Sequence, residues 1–290
     1  MPTLNAISRW NKTWILVTVG SLMLYDLYWI RGVYTRIHGI LLENLPNITA
    51  KYAGFYIDYV AGGIADTLRL VAVVFLFAAA YLAWGPKKQP FTAVKKYIAI
   101  PILIEAIYWL AILPFNISKI VFGKTPLLLY VGFIVQILAA APLLIILSAK
   151  TWRYKAEARN SLIRWACMAG VGYIFGMWIN NMLRWVSMSG QRGLPDLFTG
   201  ITTLGFLNTA ITLTLSVAFA IAGSYILVRK YSRMLAVQLL GVAILLFGLH
   251  FAFYAVYSWF APNAWAFVML TEIWPLPLIG LGVGMLRGKV

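Results

Sequence analysis

The sequence predicts an all-α integral membrane protein that crosses the bilayer about eight times. Of its 290 residues, 62% are hydrophobic and only 11% are charged, whereas soluble domains carry about 25% charged residues. The apolar residues come in runs of about 18 to 25, long enough for a helix to span a hydrocarbon layer of ~30 Å. The alternating pattern of a membrane barrel is absent, so helices are the remaining way to pair the backbone groups in lipid.

Eight apolar runs define the predicted helices. The first run follows Arg9 and Lys12, but no cleavage site of small residues comes after it, so we interpret it as a retained helix rather than a signal peptide. Most later connections are short, and successive helices are therefore expected to pack as neighbours. The runs cover residues 14–30, 67–85, 97–114, 126–148, 162–184, 202–228, 234–258 and 265–285.

The segment 32–66 is much longer than an ordinary connection of about 2 to 8 residues. Within it, Tyr52, Phe55, Tyr56 and Tyr59 recur at helical spacing. This pattern predicts a short amphipathic helix over residues 51–60 in the outer interface, where tyrosine is favoured. Packing of the same rings onto the top of the bundle is the alternative. We therefore interpret 32–66 as an outer interfacial connection between helices one and two.

Basic residues are distributed unequally between the two sides of the predicted bundle. If eight helices alternate in direction, 16 Lys and Arg residues flank one side and 8 flank the other. The positive-inside rule then places the richer side, with both termini, in the cytoplasm, and the protein in the plasma membrane. Because the basic residues sit at helix ends, the formal net charge of +16 does not indicate nucleic acid. The lipid bilayer is the predicted partner.

The chain is predicted to be a single polytopic domain, residues 1–290. The basic stretch from Lys150 to Arg164 would divide it into halves 1–149 and 160–290 of four helices each. Similar polar and aromatic residues in corresponding helices allow a parallel repeat, but their spacings differ and coincidence is the preferred interpretation. Two sets of four helices resemble the NrfD-like quinol-handling membrane anchors in architecture alone, without a matching motif.

Motifs for nucleotide, zinc or nucleophilic chemistry are absent from the sequence. The single cysteine, Cys167, excludes an intrachain disulfide and a multi-cysteine metal site. Heme held by His38 and His250 is disfavoured, because His38 lies outside the predicted helices. The glycine-rich segment 280–284 is better explained by close helix packing than by nucleotide binding. No metal or cofactor is therefore predicted, and a role other than that of an enzyme is favoured.

Polar side chains inside the apolar runs are the candidates for function. A charged group at membrane depth costs at least ~2.5 kcal/mol unless it faces a partner or a cavity, and Glu105 and Glu272 are the clearest cases. All the candidates fall at or outside the membrane midplane, whereas the cytoplasmic half of the helices is almost entirely apolar. This asymmetry predicts a polar cavity that opens outward. The candidates are Asp26, Glu105, Asn180, Asn181, Arg184, His250 and Glu272.

Structural explanations exist for several of these residues. Asp66 and Arg69, three residues apart at a helix start, would form a local ion pair. Asp26 and Arg184 would reach interfacial water. His250 is more typical of a hydrogen-bonded packing residue than of a ligand. For Glu105 and Glu272 the structural alternative is a buried hydrogen bond or a protonated carboxyl.

Two functions fit these observations. The first is a small transporter or channel for an ion or small solute, in which Glu105 and Glu272 bind the cation or a coupling proton. The second is a non-catalytic or quinone-reactive membrane subunit of a larger respiratory or redox assembly. In that case the carboxyls and His250 would serve proton exchange or contact other membrane subunits, and quinone would be the cofactor. An enzyme acting on lipid head groups lacks a nucleophile or metal constellation.

Overall fold

The computed structural model describes residues 9–44, 50–114, 116–117, 127–192, 201–259 and 275–287, and no strand occurs within these ranges. A π-helical turn, Thr209–Leu213, joins α6 to α7, and a 3₁₀ turn, Ala156–Ala158, precedes α5. The α-helices are α1 Arg9–Asn44, α2 Ala50–Trp84, α3 Phe91–Ala111, α4 Leu127–Trp152, α5 Arg159–Arg192, α6 Ile201–Asn208, α7 Thr214–Arg229, α8 Arg233–Trp259 and α9 Pro275–Leu286.

Five stretches of the described helices are long and apolar enough to cross a membrane. α3 is not one of them, because its 21 residues include Lys95, Lys96 and Glu105, which lower its apolar character. The predicted all-helical fold is thus confirmed within the described ranges, while the count of eight spans stays a prediction. The five stretches are Thr67–Trp84, Tyr130–Trp152, Ala156–Ser187, Leu204–Arg229 and Arg233–Phe253.

The first two helices are longer than the apolar runs that predicted them. α1 continues to Asn44 and α2 begins at Ala50. Residues 51–60 are therefore the first turns of α2, and the prediction of a separate short helix within a long connection is wrong. The helical spacing of the aromatic residues continues into the apolar run, and the Gly62-Gly63 pair is accommodated inside the helix. Whether this segment lies in an interface stays a prediction.

The helices form a closed circuit of contacts. Each of α1 to α4 packs on the next helix in the chain, α5 packs on α7, and α7, α8 and α9 pack in order. Short connections favour this packing of neighbours. The circuit closes because α9 also packs on α1, which brings the first and last described helices together.

Glycines of α9 let two helices approach it closely. A Cβ added to Gly282 would lie 2.8 Å from the carbonyl oxygen of Gly241 in α8. On the α1 side, a Cβ at Gly280 would overlap the ring of Trp14, and Trp10 Nε1 donates to the Gly280 carbonyl oxygen at 3.0 Å. The glycine-rich segment therefore serves helix packing, as predicted.

Basic residues link the helix ends at one end of the bundle. Lys12, in the first turn of α1, lies with its Nζ 5.9 Å from the ring centroid of Trp84 at the end of α2. Lys95 of α3 donates through Nζ to the carbonyl oxygen of Tyr154, just after α4, at 2.8 Å. These contacts show that α1 to α4 alternate in direction. The sequence predicts this end to be cytoplasmic.

Candidate functional site

Three charged side chains from three helices meet inside the circuit, and we call them the charge cluster: Asp26 of α1, Arg69 of α2 and Glu105 of α3. Arg69 Nε donates to Glu105 Oε2 at 3.2 Å. Arg69 Nη1 lies 3.6 Å from Asp26 Oδ1. One guanidinium thus faces two carboxylates, so the cluster carries a formal charge of −1 when all three groups are ionised.

The three residues meet because they lie at similar depths in antiparallel helices. Asp26 lies 17 residues after the start of α1, Arg69 lies 15 residues before the end of α2, and Glu105 lies 14 residues after the start of α3. At 1.5 Å per residue, these depths agree to within about 5 Å. The side chain of Arg69 is therefore long enough to reach both carboxylates.

Aromatic side chains hold the charge cluster in place. Trp109 Nε1 donates to Glu105 Oε1 at 3.0 Å, so each carboxylate oxygen of Glu105 has its own donor. The Arg69 guanidinium carbon lies 4.4 Å from the centroid of the Tyr108 ring, which is a cation–π contact. The Trp109 ring also contacts the Tyr173 ring of α5, with 6.2 Å between centroids. These contacts fix the orientation of the Glu105 carboxylate.

Glu105 stays partly accessible although it lies on the inward face of α3. The outward face of this helix carries the exposed residues Leu103, Ile107 and Leu110, and the helical period places Glu105 on the opposite face. The Glu105 side chain is nevertheless 25% exposed, compared with 5% for Asp26. Glu105 therefore lies on the inward face of α3 and keeps part of its side chain accessible.

The interfacial location expected for Asp26 is wrong. Asp26 is buried and pairs with Arg69, so it does not reach interfacial water. Arg69 pairs with Asp26 and Glu105, and its predicted pair with Asp66 stays a prediction. Carboxylates among apolar helices are costly unless a cation lies nearby, and this cost explains why Asp26 pairs with Arg69. The side chain of Asp66 lies outside the part of the chain that the structure describes.

A neutral polar contact, which we call the amide pair, joins α4 to α5. Asn180 Nδ2 donates to Gln136 Oε1 at 2.7 Å, and both side chains are buried. A Cβ added to Gly176 would lie 3.0 Å from Gln136 Cα, and one added to Gly132 would lie 3.1 Å from Asn180 Cα. Each amide residue thus packs against a glycine of the facing helix. This reciprocal arrangement allows the two helices to approach closely.

His250 of α8 is fully buried and bound by α6 and the π-helical turn. Asn208 Nδ2 lies 3.2 Å from His250 Nδ1 and donates to the His250 carbonyl oxygen at 3.1 Å. Thr212 Oγ1, in the π-helical turn, lies 3.3 Å from the same Nδ1. The imidazole therefore belongs to a hydrogen-bonded contact between α6 and α8. Such turns occur often at functional sites, and no sequence pattern had indicated this one.

The remaining candidates lie apart from the charge cluster or outside the described residues. Asn181 Nδ2 donates to the carbonyl oxygen of Met177 in its own helix at 2.9 Å. Arg184 is exposed near the end of α5. Glu272 falls in the range 260–274, which the structure does not describe. The predicted cavity shared by Glu105 and Glu272 therefore stays a prediction.

Sequence reasoning missed two partners, Arg69 as the bridge of the charge cluster and Gln136 as the partner of Asn180. The signal that could have identified Arg69 is its depth along α2, which matches the depth of Glu105 along α3 when the two helices are aligned. For Gln136 it was a shared spacing, because a glycine precedes each amide residue by four positions, Gly132 and Gly176. Both signals require the helices to be compared in pairs.

An apolar cavity of about 380 Å³ lies between α4, α5, α8 and α9. Its walls include Leu144, Phe247 and Leu281, together with Tyr173 of α5. The Tyr173 ring also contacts the ring of Trp109, which donates to Glu105 of the charge cluster. One side chain thus connects an apolar chamber to the charged groups.

Within the described ranges, no group of three or more His, Cys, Asp or Glu residues could hold a metal ion. No protein-family model, curated protein or solved structure matches the chain. The interpretation of the site therefore depends on its own chemistry.

Proposed function

We propose that the protein is a small transporter or channel of the plasma membrane, with eight spans and both termini in the cytoplasm, that moves a cation or a small solute coupled to a proton. Five membrane-length apolar helices support the membrane location. The basic residues gathered at one end of the bundle support the orientation.

The charge cluster is the observation that carries this proposal. Its two carboxylates face one guanidinium, which leaves a formal charge of −1 among apolar helices. A net charge at such a depth is costly, so a proton or a small cation bound at these three side chains would balance their charge. In this proposal Glu105 is the entry point, because its side chain is partly accessible whereas that of Asp26 is buried.

A simple exchange follows from the shared guanidinium. When a proton or cation occupies Glu105, the attraction between Glu105 and Arg69 weakens and Arg69 is drawn toward Asp26. When the proton or cation leaves Glu105, Arg69 returns to the carboxylate. Because the three residues lie on α1, α2 and α3, occupancy of Glu105 alters the forces between these helices. Transport then requires that the two pairings expose the site differently.

Flux into proteoliposomes tests the proposal. The purified protein, in vesicles containing a pH-sensitive dye, is expected to pass protons or small cations down an imposed gradient. Glu105→Gln removes the accessible charge, and flux should fall to the level of protein-free vesicles. Glu157→Gln is the matched control, since Glu157 is an exposed carboxylate in the 3₁₀ turn before α5, and it should leave the flux unchanged. Equal flux through wild type and Glu105→Gln would overturn the role of the cluster.

The apolar cavity favours a second function, a quinone-reactive membrane subunit of a redox assembly. A chamber of about 380 Å³ lined mainly by apolar side chains suits an isoprenoid quinone ring. Tyr173 would connect this ring to Glu105, which would exchange protons with it. Affinity purification from native membranes separates the two functions, because a subunit should bring a redox protein with it in fixed stoichiometry. A chain that purifies alone and transports ions excludes the second function.

A further inference from the structure

A cavity of about 480 Å³ lies where α5 and α8 begin and α7 ends. Four basic residues line it, Arg159, Arg164, Lys230 and Arg233, and we call it the basic pocket. Its lining contains no acidic residue, and none of the four basic side chains forms an ion pair among the residues that the structure describes. Four like charges around one cavity repel each other, so an anion bound between them would be stabilised.

The backbone around the basic pocket also suits an anion. α5 begins at Arg159 and α8 begins at Arg233, and the N-terminus of a helix carries a partial positive charge that favours an anion. Asn160 adds a neutral amide to the same lining. The first turns of α5 and α8 thus add positive potential to that of the side chains, while the C-terminus of α7 contributes a smaller, opposite partial charge.

Lys230 occupies a backbone conformation that normally selects glycine. It has φ 60°, and it is the one residue other than glycine with positive φ among the described residues. The N–H groups of Lys230 and Tyr231 donate to the carbonyl oxygens of Leu227 and Ile226, both at 3.3 Å, which closes α7 in a Schellman motif. Glycine is the usual residue at this position. A lysine here places a fourth cation at the pocket despite the less favourable conformation.

One wall of the basic pocket is apolar. It includes Ile163 of α5, Ile226 of α7 and Val237 of α8, all of them within helices long and apolar enough to cross a membrane. A ligand that fills the whole cavity therefore has a negative head group and an apolar part. An acidic phospholipid has both.

We propose that the basic pocket binds a phosphate group, as the head group of an acidic phospholipid or as free phosphate, and the apolar wall favours the phospholipid. Basic pockets between helices at the cytoplasmic side of a membrane recognise such head groups. The site is independent of the transport role proposed above, and only its assignment to the inner leaflet rests on the proposed orientation.

Native mass spectrometry of the detergent-purified, delipidated protein tests this site without reference to transport. Phosphatidylglycerol should bind in a defined stoichiometry and phosphatidylcholine should bind more weakly. Lys230→Gly removes one cation while placing glycine at a position that favours it, so folding is preserved. Arg164→Gln removes a second cation from within α5. Each variant should weaken phosphatidylglycerol binding by about fivefold, and the two together by more than tenfold.

The matched control is the double variant Lys87→Gln and Lys88→Gln, which removes two exposed basic residues between α2 and α3, at the same end of the bundle and outside the pocket. It should bind phosphatidylglycerol as the wild type does. Inorganic phosphate at millimolar concentration, added as a competitor, distinguishes the sources: displacement of the lipid assigns the site to free phosphate, and persistence of the complex assigns it to the lipid head group. Equal loss in the control and pocket variants would overturn the proposal, as would equal binding of phosphatidylcholine and phosphatidylglycerol.

Discussion

The charge cluster and the amide pair solve the same problem in different ways. Both place polar side chains where apolar helices meet. In the amide pair, Asn180 and Gln136 are neutral, buried and packed against glycines. In the charge cluster, Asp26, Arg69 and Glu105 leave one negative charge in excess, and Glu105 keeps a quarter of its side chain exposed. The first arrangement is closed to solutes, and the second retains both the charge and the access that binding requires.

This difference separates structural polar groups from functional ones. In the amide pair the two side chains hydrogen-bond to each other across the helix contact, which contributes to helix association, although the buried Asn180 Oδ1 has no partner among the described residues. A cluster with an unequal number of positive and negative charges has a use for an additional cation. Variants that remove the arginine or fill a glycine contact should therefore lower stability. A variant that neutralises the excess carboxylate should mainly lower the flux.

The largest effect is expected from Arg69→Met. It removes the guanidinium that pairs the two carboxylates, and loss of one partner of a buried ion pair costs about 3–5 kcal/mol. Thermal unfolding in one detergent, followed by circular dichroism, measures the loss. Combining Arg69→Met with Asp26→Asn and Glu105→Gln should restore most of the stability, because no charge then remains in the cluster. Arg184→Met, at an exposed arginine of α5, is the control and should unfold as the wild type does.

A smaller effect is expected at the glycines of the amide pair. Gly176→Ala places a Cβ 3.0 Å from Gln136 Cα and 3.1 Å from the Gln136 carbonyl oxygen. Because both atoms belong to the backbone of α4, the helices must separate, and such overpacking costs about 1–3 kcal/mol. Gly170→Ala is the control on the same helix, since no atom lies within 4 Å of its added Cβ. Equal stability of the two variants would contradict close packing as the role of Gly176.

The sequence predicted helices better than it predicted contacts. Apolar runs located α3 to α8 because lipid-length runs admit no other backbone structure. They understated α1 and α2, because residues such as Tyr52 and Tyr59 extend a helix without being strongly apolar. Local spacing suggested only Asp66 as a partner of Arg69, whereas the two partners that the described residues provide, Asp26 and Glu105, lie on neighbouring helices. A rule based on spacing along one helix does not detect charges that match in depth across two.

The smallest effect on stability is expected from Glu105→Gln. This variant therefore best separates a functional role of the charge cluster from a structural one. The glutamine keeps the shape of the glutamate, and its carbonyl oxygen can still accept from Trp109 Nε1 or Arg69 Nε, which now hold Glu105 at 3.0 and 3.2 Å. The remaining Asp26 balances Arg69, so the cluster becomes neutral. The free energy of unfolding should therefore change by less than about 1 kcal/mol, while the flux in proteoliposomes disappears. Unfolding measured on the same preparation as the flux distinguishes the possible roles. If Glu105→Gln destabilises the protein as much as Arg69→Met does, the charge of Glu105 serves the fold. The charge cluster would then have a structural role, like that of the amide pair.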